Sequence, residues 1–313
     1  MIQWFKDHSS RFTGQLLFDE PLSKHTYYRI GGPASIYATP QSPHDVEWLA
    51  QGIAHTQIPY FVLGLGSNLL ISDLGFSGLI IRAGRLNLGI ELVEETESRD
   101  LIVRTGGSVA ISTFLRKAAH QGWAGLELLS GVPGSMAGAV SMNAGTHLGE
   151  AKDCVVRVEA FSLDSEHQGA RMAFSGEQLK FSYRRNHFLP KNTVIYSVDW
   201  RLRRSTPESV KHIIDENLVR RKASQPVEYP SCGSVFKNPR ESGFRAWEVI
   251  AKLGLRGHRI GNAQFSEKHP NFIVNLGGAQ AIDVKALIDL AKARALELLG
   301  VTLEEEVIYV GSF

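Results

Sequence analysis

The segment 229–239, "YPSCGSVFKNP", places several chemically capable groups between two prolines. They are a thiol at Cys232, a hydroxyl at Ser234, an ammonium at Lys237 and an amide at Asn238. A turn by itself needs fewer polar side chains than this. Ser234 lies outside a G-x-S-x-G motif and has no histidine in the segment, so a hydrolase nucleophile is poorly supported. Cys232 is expected to pack, which leaves the other three groups as candidate donors to a ligand.

A first glycine-rich loop, "GLGSNLL", lies at 64–70. Its glycines allow a ligand to approach the backbone closely, and successive free N–H groups there suit a phosphate. The dinucleotide-binding G-x-G-x-x-G motif should open a helix, whereas "LLISD" continues with the character of a strand. The loop also lacks the G-K-[ST] of a P-loop. Taken alone, it is better interpreted as a tight turn.

A second loop, "GVPGSMAGAVSMNAG" at 131–145, is equally rich in small residues. Such residues can simply allow elements to pack closely. Two such loops in one chain, however, suit a pyrophosphate held mainly by backbone amides. A dinucleotide bound outside a Rossmann fold would need loops of this kind.

Composition and charge narrow the class of protein. Hydrophobic residues make up 43% and charged residues 21% of 313 residues, which predicts packed cores in two or three domains. The net charge of +2 does not support a nucleic-acid partner. No apolar run could span a bilayer, and "MIQWFKDHSS" lacks the apolar region of a signal peptide. Cys154 and Cys232 lack CxxC spacing, which fits a reducing cytoplasm, and no metal-binding motif is present.

Apolar spacing and capping residues predict the main helices. They are expected over 42–57, 110–122, 206–222 and about 283–300. Ser42 is a suitable N-cap for the first of them, and Gly122 is a suitable end for the second. The apolar stripe of the last helix is expected at Val284, Leu287, Ala291 and Leu298.

Strands are predicted over 78–82, 90–95, 100–107, 193–204 and 306–311. In the strand 193–204, apolar and polar residues alternate, which predicts burial of one face only. That buried face would carry Tyr196, Val198, Trp200 and Leu202. The order of elements is mixed α+β, without the regular βα alternation of a doubly wound sheet, and a boundary falls near residue 204.

Seven motifs then occur in an order that resembles the UDP-N-acetylenolpyruvoylglucosamine reductase (MurB) family, from about Tyr28 to Gly311. They are "YYRIGGPA", "LGLGSNLLISDLGFSGLII", "GLELLSGVPGSMAGAVSMNAG", "FSYRRNHF", "PSCGSVFKNP", "IGNAQFSEKHPNFIVN" and "LEEEV". The interval between Arg184 and Ser234 leaves little room for the tyrosine-bearing segment of type I members, so the chain resembles the shorter type II.

The resemblance implies an α+β protein with a PCMH-type, vanillyl-alcohol-oxidase-like FAD-binding fold. Two subdomains would hold the flavin, at 1–84 and 85–204. A C-terminal α+β domain at 205–313 would bind the substrate and would include the terminal strand that carries Glu306.

The resemblance also implies the reaction. NADPH would reduce non-covalently bound FAD, which would reduce the enolpyruvyl ether of UDP-N-acetylglucosamine to the lactyl ether, giving UDP-N-acetylmuramate for peptidoglycan. The implied partners are therefore the UDP-sugar and NADPH, with no nucleic acid and no membrane. The protein is expected to be a cytoplasmic monomer or weak oligomer without a metal.

Residue roles follow from the matched motifs. Catalytic roles fall on Arg184, on Ser234 as proton donor and on Glu306, while Arg184, Lys237 and Asn238 would bind the substrate. The residues expected to hold FAD are Gly64, Leu65, Gly66, Ser67, Asn68, Leu69, Gly131, Pro133, Gly134, Ser135, Gly138, Asn143 and Ala144.

Two positions depart from the pattern of the family. Asn186 stands where the family usually has serine, and it could still donate a hydrogen bond. Ala137 stands where the second loop usually has glycine. Alanine fits there only if φ is negative or the site is roomy.

Physical chemistry explains why these residue types suit the reaction. Hydride addition to the enolpyruvyl carbon builds negative charge toward the carboxylate, and the planar donor fork of Arg184 matches a carboxylate. Without the resemblance to the family, Arg184 would be interpreted more simply as a surface cation like Arg185. Glu306 suits the site as a protonated acid that donates to the enolate, but strand alternation alone does not distinguish it from Glu305. Ser234 is a weak acid, but a weak acid can protonate a strongly basic carbon.

Two other functions are compatible with parts of the sequence. A PCMH-fold oxidase that uses oxygen is one, although the histidine that often tethers FAD near the first loop is missing from "GLGSNLL". A UDP-sugar or flavin-binding module without turnover is the other. The set of Arg184, Ser234 and Glu306 argues against it.

Overall fold

The computed structural model describes residues 1–98, 100–239 and 243–313. Within them the α-helices are Ile2–Asp7 (α1), Pro43–Thr56 (α2), Ile111–Gln121 (α3), Met136–Ser141 (α4), Pro207–Ser224 (α5), Ala246–Lys252 (α6) and Ala281–Leu299 (α7). The strands of the first half are Gln15–Pro21 (β1), Pro33–Thr39 (β2), Tyr60–Leu63 (β3), Leu69–Ile71 (β4), Phe76–Arg82 (β5), Ile90–Glu95 (β6), Asp100–Gly106 (β7), Trp123–Ala124 (β8), Gly145–Thr146 (β9) and Gly149–Glu150 (β10). The remaining strands are Val155–Ser162 (β11), Arg171–Ser175 (β12), Phe181–Ser182 (β13), Arg185–Asn186 (β14), Thr193–Arg204 (β15), Ser231–Ser234 (β16), Arg259–Ile260 (β17), Ala263–Phe265 (β18), Phe272–Asn275 (β19) and Ile308–Val310 (β20). No α-helix in these ranges is long and apolar enough to cross a membrane.

The chain folds into two compact units, each built from separated segments. Unit 1 comprises Met1–Phe18, Ile36–Leu65 and Gly78–Arg220. Unit 2 comprises Asp19–Ser35, Gly66–Ser77 and Arg221–Phe313. The mixture of helices with parallel and antiparallel strands confirms the predicted α+β class.

The first sheet has the order β1-β2-β5-β3, and most of it belongs to unit 1. Helix α2 follows β2 and contributes Val46, Trp48 and Leu49 to a buried core. The predicted start of this helix is confirmed: Ser42 Oγ accepts from the Asp45 backbone N–H at 3.2 Å in a capping box. Helix α3 likewise ends at Gly122 with φ of 67°, as predicted.

The second sheet of unit 1 runs β12-β11-β15-β7-β6, with β8 also paired to β15. The expectation that β15 is buried on one face holds only at its end, where Arg201 and Arg203 are exposed. In its middle, the polar residues Ser197 and Asp199 are buried as well. Asp199 is tolerated there because Arg104 binds it through two hydrogen bonds of 2.7 and 2.8 Å.

Glu159 on β11 is a second buried carboxylate of this sheet, and it predicts how stability depends on pH. Burial raises the pKa of Glu159, but hydrogen bonds from Arg171 and Arg157 outweigh burial and lower the pKa to about 2. A carboxyl group in an unfolded chain has a pKa of about 4.3, so this stabilisation is complete above about pH 5 and is lost as the pH falls toward 2. We expect Glu159→Gln to lower the melting temperature by about 4 °C at pH 7 and by much less at pH 2.5.

Thermal unfolding followed by circular dichroism measures this difference. Glu91→Gln is the matched control, because Glu91 is exposed and lies 4.0 Å from Arg104; its effect should be small at both pH values. An equal fall in the melting temperature of Glu159→Gln at pH 7 and pH 2.5 would contradict the expected link between the ionisation of Glu159 and stability.

Unit 2 contains the sheet β16-β19-β18-β17 and the parallel pair β20-β4. Helix α7 packs on its core through Val284, Leu287 and Ala291, as predicted. The predicted fourth member of the stripe is wrong, since Leu298 is 63% exposed. Ala295, one turn after Ala291, continues the buried face instead.

The end of the chain also differs from its prediction as a continuous strand over 306–311. Only Ile308–Val310 forms β20, because the chain bends at Val307. The backbone N–H groups of Glu306 and Val307 both donate to the Val235 carbonyl, at 2.8 and 3.4 Å. Simple strand alternation therefore does not extend back to the glutamates.

Both cysteines are buried and free. Cys232 is 2% exposed in the core of unit 2, and burial raises the pKa of its thiol to about 12. This thiol packs in the core, and its raised pKa disfavours the reactive thiolate form.

Candidate active site

The first glycine-rich loop joins β3 to β4, so a strand follows it where a Rossmann motif would have a helix. Gly66 has φ of +68°, and a Cβ atom there would lie 2.3 Å from the carbonyl oxygen of His25. The Gly66 carbonyl in turn accepts from the Tyr27 backbone N–H at 2.9 Å. Glycine is therefore required at this position by both its backbone conformation and the close approach of another segment of unit 2.

The two glycine-rich loops meet in unit 1. A Cβ atom built on Gly64 would lie 3.6 Å from Ser135 Oγ in the second loop. Ser135 Oγ also accepts from the Gly138 backbone N–H at 3.1 Å. Gly64 is exposed, so a ligand can approach its backbone closely. Small residues from two adjacent loops provide the kind of cradle that a flavin dinucleotide needs, so this part of the structure fits FAD.

The second loop is partly helical, which the sequence pattern does not predict. Helix α4 begins after Ser135 and includes both Ala137 and Gly138. Because Ala137 has a helical backbone, alanine replaces glycine there without strain. Its backbone N–H donates to the Gly107 carbonyl at 3.0 Å.

Asn143 is fully buried, and its side chain is engaged by the fold. Its amide donates to the Ser182 carbonyl and to Glu150 Oε2, both at 3.0 Å, and its Oδ1 accepts from the Lys152 backbone N–H at 3.0 Å. Asn186, the other departure from the family pattern, donates to the Ser141 carbonyl at 2.8 Å. These two asparagines join the second loop to the β13–β14 hairpin. The cofactor role of Asn143 stays a prediction.

Arg184 lies in the two-residue turn of that hairpin, between Ser182 and Arg185. Its φ of 58° is uncommon for a residue with a side chain, and such strain clusters at functional sites. Its Nη2 donates at 3.1 Å to the carbonyl of Gly145, the last residue of the second loop. The guanidinium also lies 5.0 Å from the ring centre of Tyr183. Arg184 is partly buried, whereas Arg185 is exposed, so the two arginines differ in environment.

Ser234 ends β16 in unit 2 and pairs with Phe272 on β19. Gly233 before it has φ of +82°, and no atom of the described residues lies within 4 Å of a Cβ atom added there. Ser234 is partly exposed as a residue, and within the described ranges of the chain no hydrogen bond of its hydroxyl to a side chain or backbone group is found. Such a hydroxyl can serve a bound substrate.

Glu306 lies beside the residue that follows Ser234, because its backbone N–H donates to the Val235 carbonyl at 2.8 Å. Each of the two glutamates before it forms an ion pair with a lysine. Glu304 pairs with Lys237, and Glu305 pairs with Lys292 at 2.6 Å. Within the run of three acids, Glu304 and Glu305 therefore both form ion pairs that contribute to the fold.

Lys237 and Asn238 both contribute to the fold around this segment. The Lys237 backbone N–H donates to the Glu304 carbonyl at 2.9 Å. Asn238 Oδ1 accepts from the Ala246 backbone N–H at 3.0 Å, at the start of α6. Both residues therefore help to hold this segment in place. Their contact with substrate stays a prediction.

Asn271 is a residue of this site that sequence reasoning missed. Its Oδ1 accepts from the Phe236 backbone N–H at 3.0 Å, and its Nδ2 donates to the Phe236 carbonyl at 2.9 Å. It thereby fixes the segment that follows Ser234. The only signal was its place in the motif "HPNF", which carries no information about a partner 35 residues away.

Comparisons with known proteins match both the region of the glycine-rich loops and the C-terminal region that contains Ser234 and Glu306. A family model described as an FAD binding domain matches residues 34–168, and one described as the UDP-N-acetylenolpyruvoylglucosamine reductase C-terminal domain matches residues 225–310. The UDP-N-acetylenolpyruvoylglucosamine reductase of Heliobacterium modesticaldum is 39% identical over 96% of this chain and 92% of its own length. The chain belongs to the UDP-N-acetylenolpyruvoylglucosamine reductase family.

Further relatives support the same family assignment. The same reductase of Trichlorobacter lovleyi is 40% identical over 95% of this chain and 93% of its own length. The crystal structure of UDP-N-acetylenolpyruvylglucosamine reductase (MurB) from Thermus caldophilus has a TM-score of 0.78 at 34% identity, covering 95% of this chain and 99% of that chain. The predicted MurB resemblance and its PCMH-type FAD-binding fold are confirmed. Both glycine-rich loops lie inside the FAD binding domain match, and Ser234 and Glu306 lie inside the C-terminal match.

Proposed function

We propose that this chain reduces the enolpyruvyl ether of UDP-N-acetylglucosamine to UDP-N-acetylmuramate, with NADPH as hydride donor and FAD as cofactor. Each turnover consumes one NADPH and one proton and gives NADP⁺ and the lactyl ether. The observation that carries the proposal is the relationship to reductases at 39% identity over 96% of the chain. The matched family models include both glycine-rich loops, Ser234 and Glu306.

FAD would be held by the first loop and by the residues of the second loop named above. Bound FAD supplies two-electron transfer between NADPH and the enolpyruvyl carbon. The adjacency of Gly64 to Ser135 supports this, because a pyrophosphate between two loops can accept from several backbone amides. Asn143 and Asn186 support it indirectly, by holding the second loop in one conformation.

Arg184 would bind the substrate carboxylate through its donor fork and stabilise the charge that develops there. Its strained turn and its bond to the Gly145 carbonyl support this, since both restrict where the guanidinium lies. Lys237 and Asn238 would bind more distant parts of the UDP-sugar.

Ser234 would deliver the proton to the carbon next to the carboxylate. Its partly exposed position at the end of β16, directly after Gly233, supports this role. Glu306 would be a neutral acid that donates to the enolate oxygen. The bond from its backbone to Val235 supports this, because it fixes Glu306 beside the proton donor's strand.

The division of the chain into FAD-binding subdomains at 1–84 and 85–204 and a substrate domain at 205–313 is part of the same proposal. So is a cytoplasmic monomer or weak oligomer that binds neither nucleic acid nor membrane. Gel filtration with light scattering tests the oligomeric state.

The function is tested by the absorbance of the purified protein during anaerobic titration. We expect a yellow protein whose flavin colour is released on denaturation, bleached by NADPH and restored by the enolpyruvyl substrate. A colourless protein would end the flavin assignment. Rapid recovery of colour with oxygen, and none with the substrate, would instead favour the oxidase alternative.

A prediction about Arg184 tests substrate orientation. Arg184→Ala should lower kcat/KM for the UDP-sugar about tenfold to a hundredfold, because it removes charge-assisted hydrogen bonds worth about 1.5–3 kcal/mol. Arg184→Lys should recover only part of this, since a lysine lacks the planar fork. Steady-state kinetics measures both.

Arg185→Ala is the matched control, because Arg185 is the exposed neighbour in the same hairpin. It should leave kcat/KM within about twofold. Equal losses at the two arginines would mean that the hairpin, and not the Arg184 side chain, matters.

A further inference from the structure

Asn68, in the first glycine-rich loop, makes a direct contact with the segment that carries the terminal acid. Its Nδ2 donates to the backbone carbonyl of Glu306 at 3.0 Å. Its own carbonyl accepts from the Ile308 backbone N–H at 3.1 Å. The parallel pairing of β4 and β20 then begins at the next residue, with Leu69 opposite Ile308. All these residues belong to unit 2.

Both backbone polar groups of Glu306 are therefore fixed from outside its own segment. The N–H is held by the Val235 carbonyl at 2.8 Å, and the carbonyl is held by the Asn68 side chain at 3.0 Å. Val235 directly follows Ser234. A carboxyl group whose backbone is fixed at both ends can be aimed with the precision that catalysis requires.

The Asn68 side chain is well suited to this contact. The Glu306 carbonyl lies at the bend before β20, where the strand ladder has not yet begun to satisfy it. It needs an external donor, and an amide supplies one without adding charge near an acid that must stay neutral. An aspartate at this position would have the same shape, but it would place a carboxylate oxygen against the Glu306 carbonyl oxygen, and both of these atoms accept hydrogen bonds.

We propose that Asn68 is a positioning residue for Glu306, joining the cofactor-binding loop to the acid of the second half-reaction. The proposal rests on the function proposed above for Glu306. It assigns the Asn68 side chain to the acid-bearing segment and leaves the backbone of the loop to the cofactor.

The test uses the full-length holoenzyme with Asn68→Asp and, in case the aspartate does not fold, Asn68→Ala. Since Asn68 belongs to the loop proposed to hold FAD, flavin content is measured first, and we expect reduction of the flavin-loaded enzyme by NADPH to slow much less than reoxidation does. Reoxidation by the enolpyruvyl substrate should slow about tenfold, because a hydrogen bond is lost and an acceptor is left unsatisfied. Stopped-flow absorbance separates the two half-reactions.

Gln264→Glu is the matched control. Gln264 Nε2 also donates to a backbone carbonyl in unit 2, that of Gly257 at 2.8 Å, and glutamate likewise removes the donor without changing shape. Both half-reactions should stay at the wild-type rate in this variant. A slowdown like that of Asn68→Asp would show that any lost amide contact in unit 2 has the same effect, and it would overturn the proposal.

A double-mutant cycle identifies the route of action. If Asn68 acts through Glu306, Asn68→Asp should slow a Glu306→Ala enzyme by less than about twofold. Additive effects, loss of flavin, or equal slowing of both half-reactions would overturn the positioning role. If Glu306→Ala itself leaves reoxidation unchanged, the proposed role of Glu306 fails and the inference falls with it. If Glu306→Ala is slow and Asn68→Asp is not, the inference alone fails.

Discussion

Ser234→Ala is expected to stop the second half-reaction while leaving the first intact. Hydride transfer from NADPH requires no new bond to the carbon that Ser234 serves, whereas the enolpyruvyl step requires a proton at that carbon. Flavin binding and bleaching by NADPH should therefore be nearly normal. Reoxidation by the substrate should slow by about 10²–10⁴, the usual effect of removing a general acid. Stopped-flow absorbance at the flavin band measures both steps.

Two further variants sharpen this result. Ser234→Cys should recover part of the rate, because a thiol is a stronger acid at a similar position. Ser231→Ala is the matched control on the same strand, where the hydroxyl oxygen accepts from the Gly233 backbone N–H at 3.4 Å. Reoxidation of Ser234→Ala at the wild-type rate would refute the proton-donor role. Equal slowing of both half-reactions would mean that Ser234 only shapes the turn.

Glu306→Ala is expected to lower kcat by about 10²–10³, the typical effect of removing one donor to a developing oxyanion. Glu306→Gln should lose far less, because an amide keeps the shape and can still donate a hydrogen bond. The contrast between the two variants distinguishes a neutral acid from a carboxylate that acts through its charge. The rate of reoxidation by the enolpyruvyl substrate is the appropriate measurement.

Glu305→Gln is the matched control for this comparison. Glu305 is the preceding residue and forms an ion pair with Lys292 at 2.6 Å, so its substitution should affect stability more than rate. Mild and equal effects of Glu306→Ala and Glu306→Gln would show that the wrong glutamate of the run has been assigned. A large loss at Glu305 would then identify the acid.

Features that depend on neighbouring residues were predicted well from the sequence. The N-cap at Ser42 and the helix end at Gly122 are examples, because each involves groups within about four residues along the chain. The apolar stripe of α7 was correct at Val284, Leu287 and Ala291 for the same reason. It failed at Leu298, which lies in the last turn of the helix and is exposed.

The polar residues of β15 show where a local pattern becomes insufficient. Alternation placed Ser197 and Asp199 on an exposed face, yet both are buried. Asp199 depends on Arg104, which is 95 residues away. A period of two along one strand does not reveal which cation a neighbouring strand contributes.

The sequence by itself determined the α+β class, the two glycine-rich loops and, through the order of its motifs, the family and its cofactor. These properties are encoded in short segments whose spacing is visible along the chain. The tertiary structure alone decided that Ala137 lies in a helix, that Arg184 occupies a strained turn, and that Asn68 donates to Glu306 across 238 positions. Hydrogen bonds of that kind depend on distances in space. The chemistry of an asparagine side chain does not determine which groups the fold brings within hydrogen-bonding distance of it.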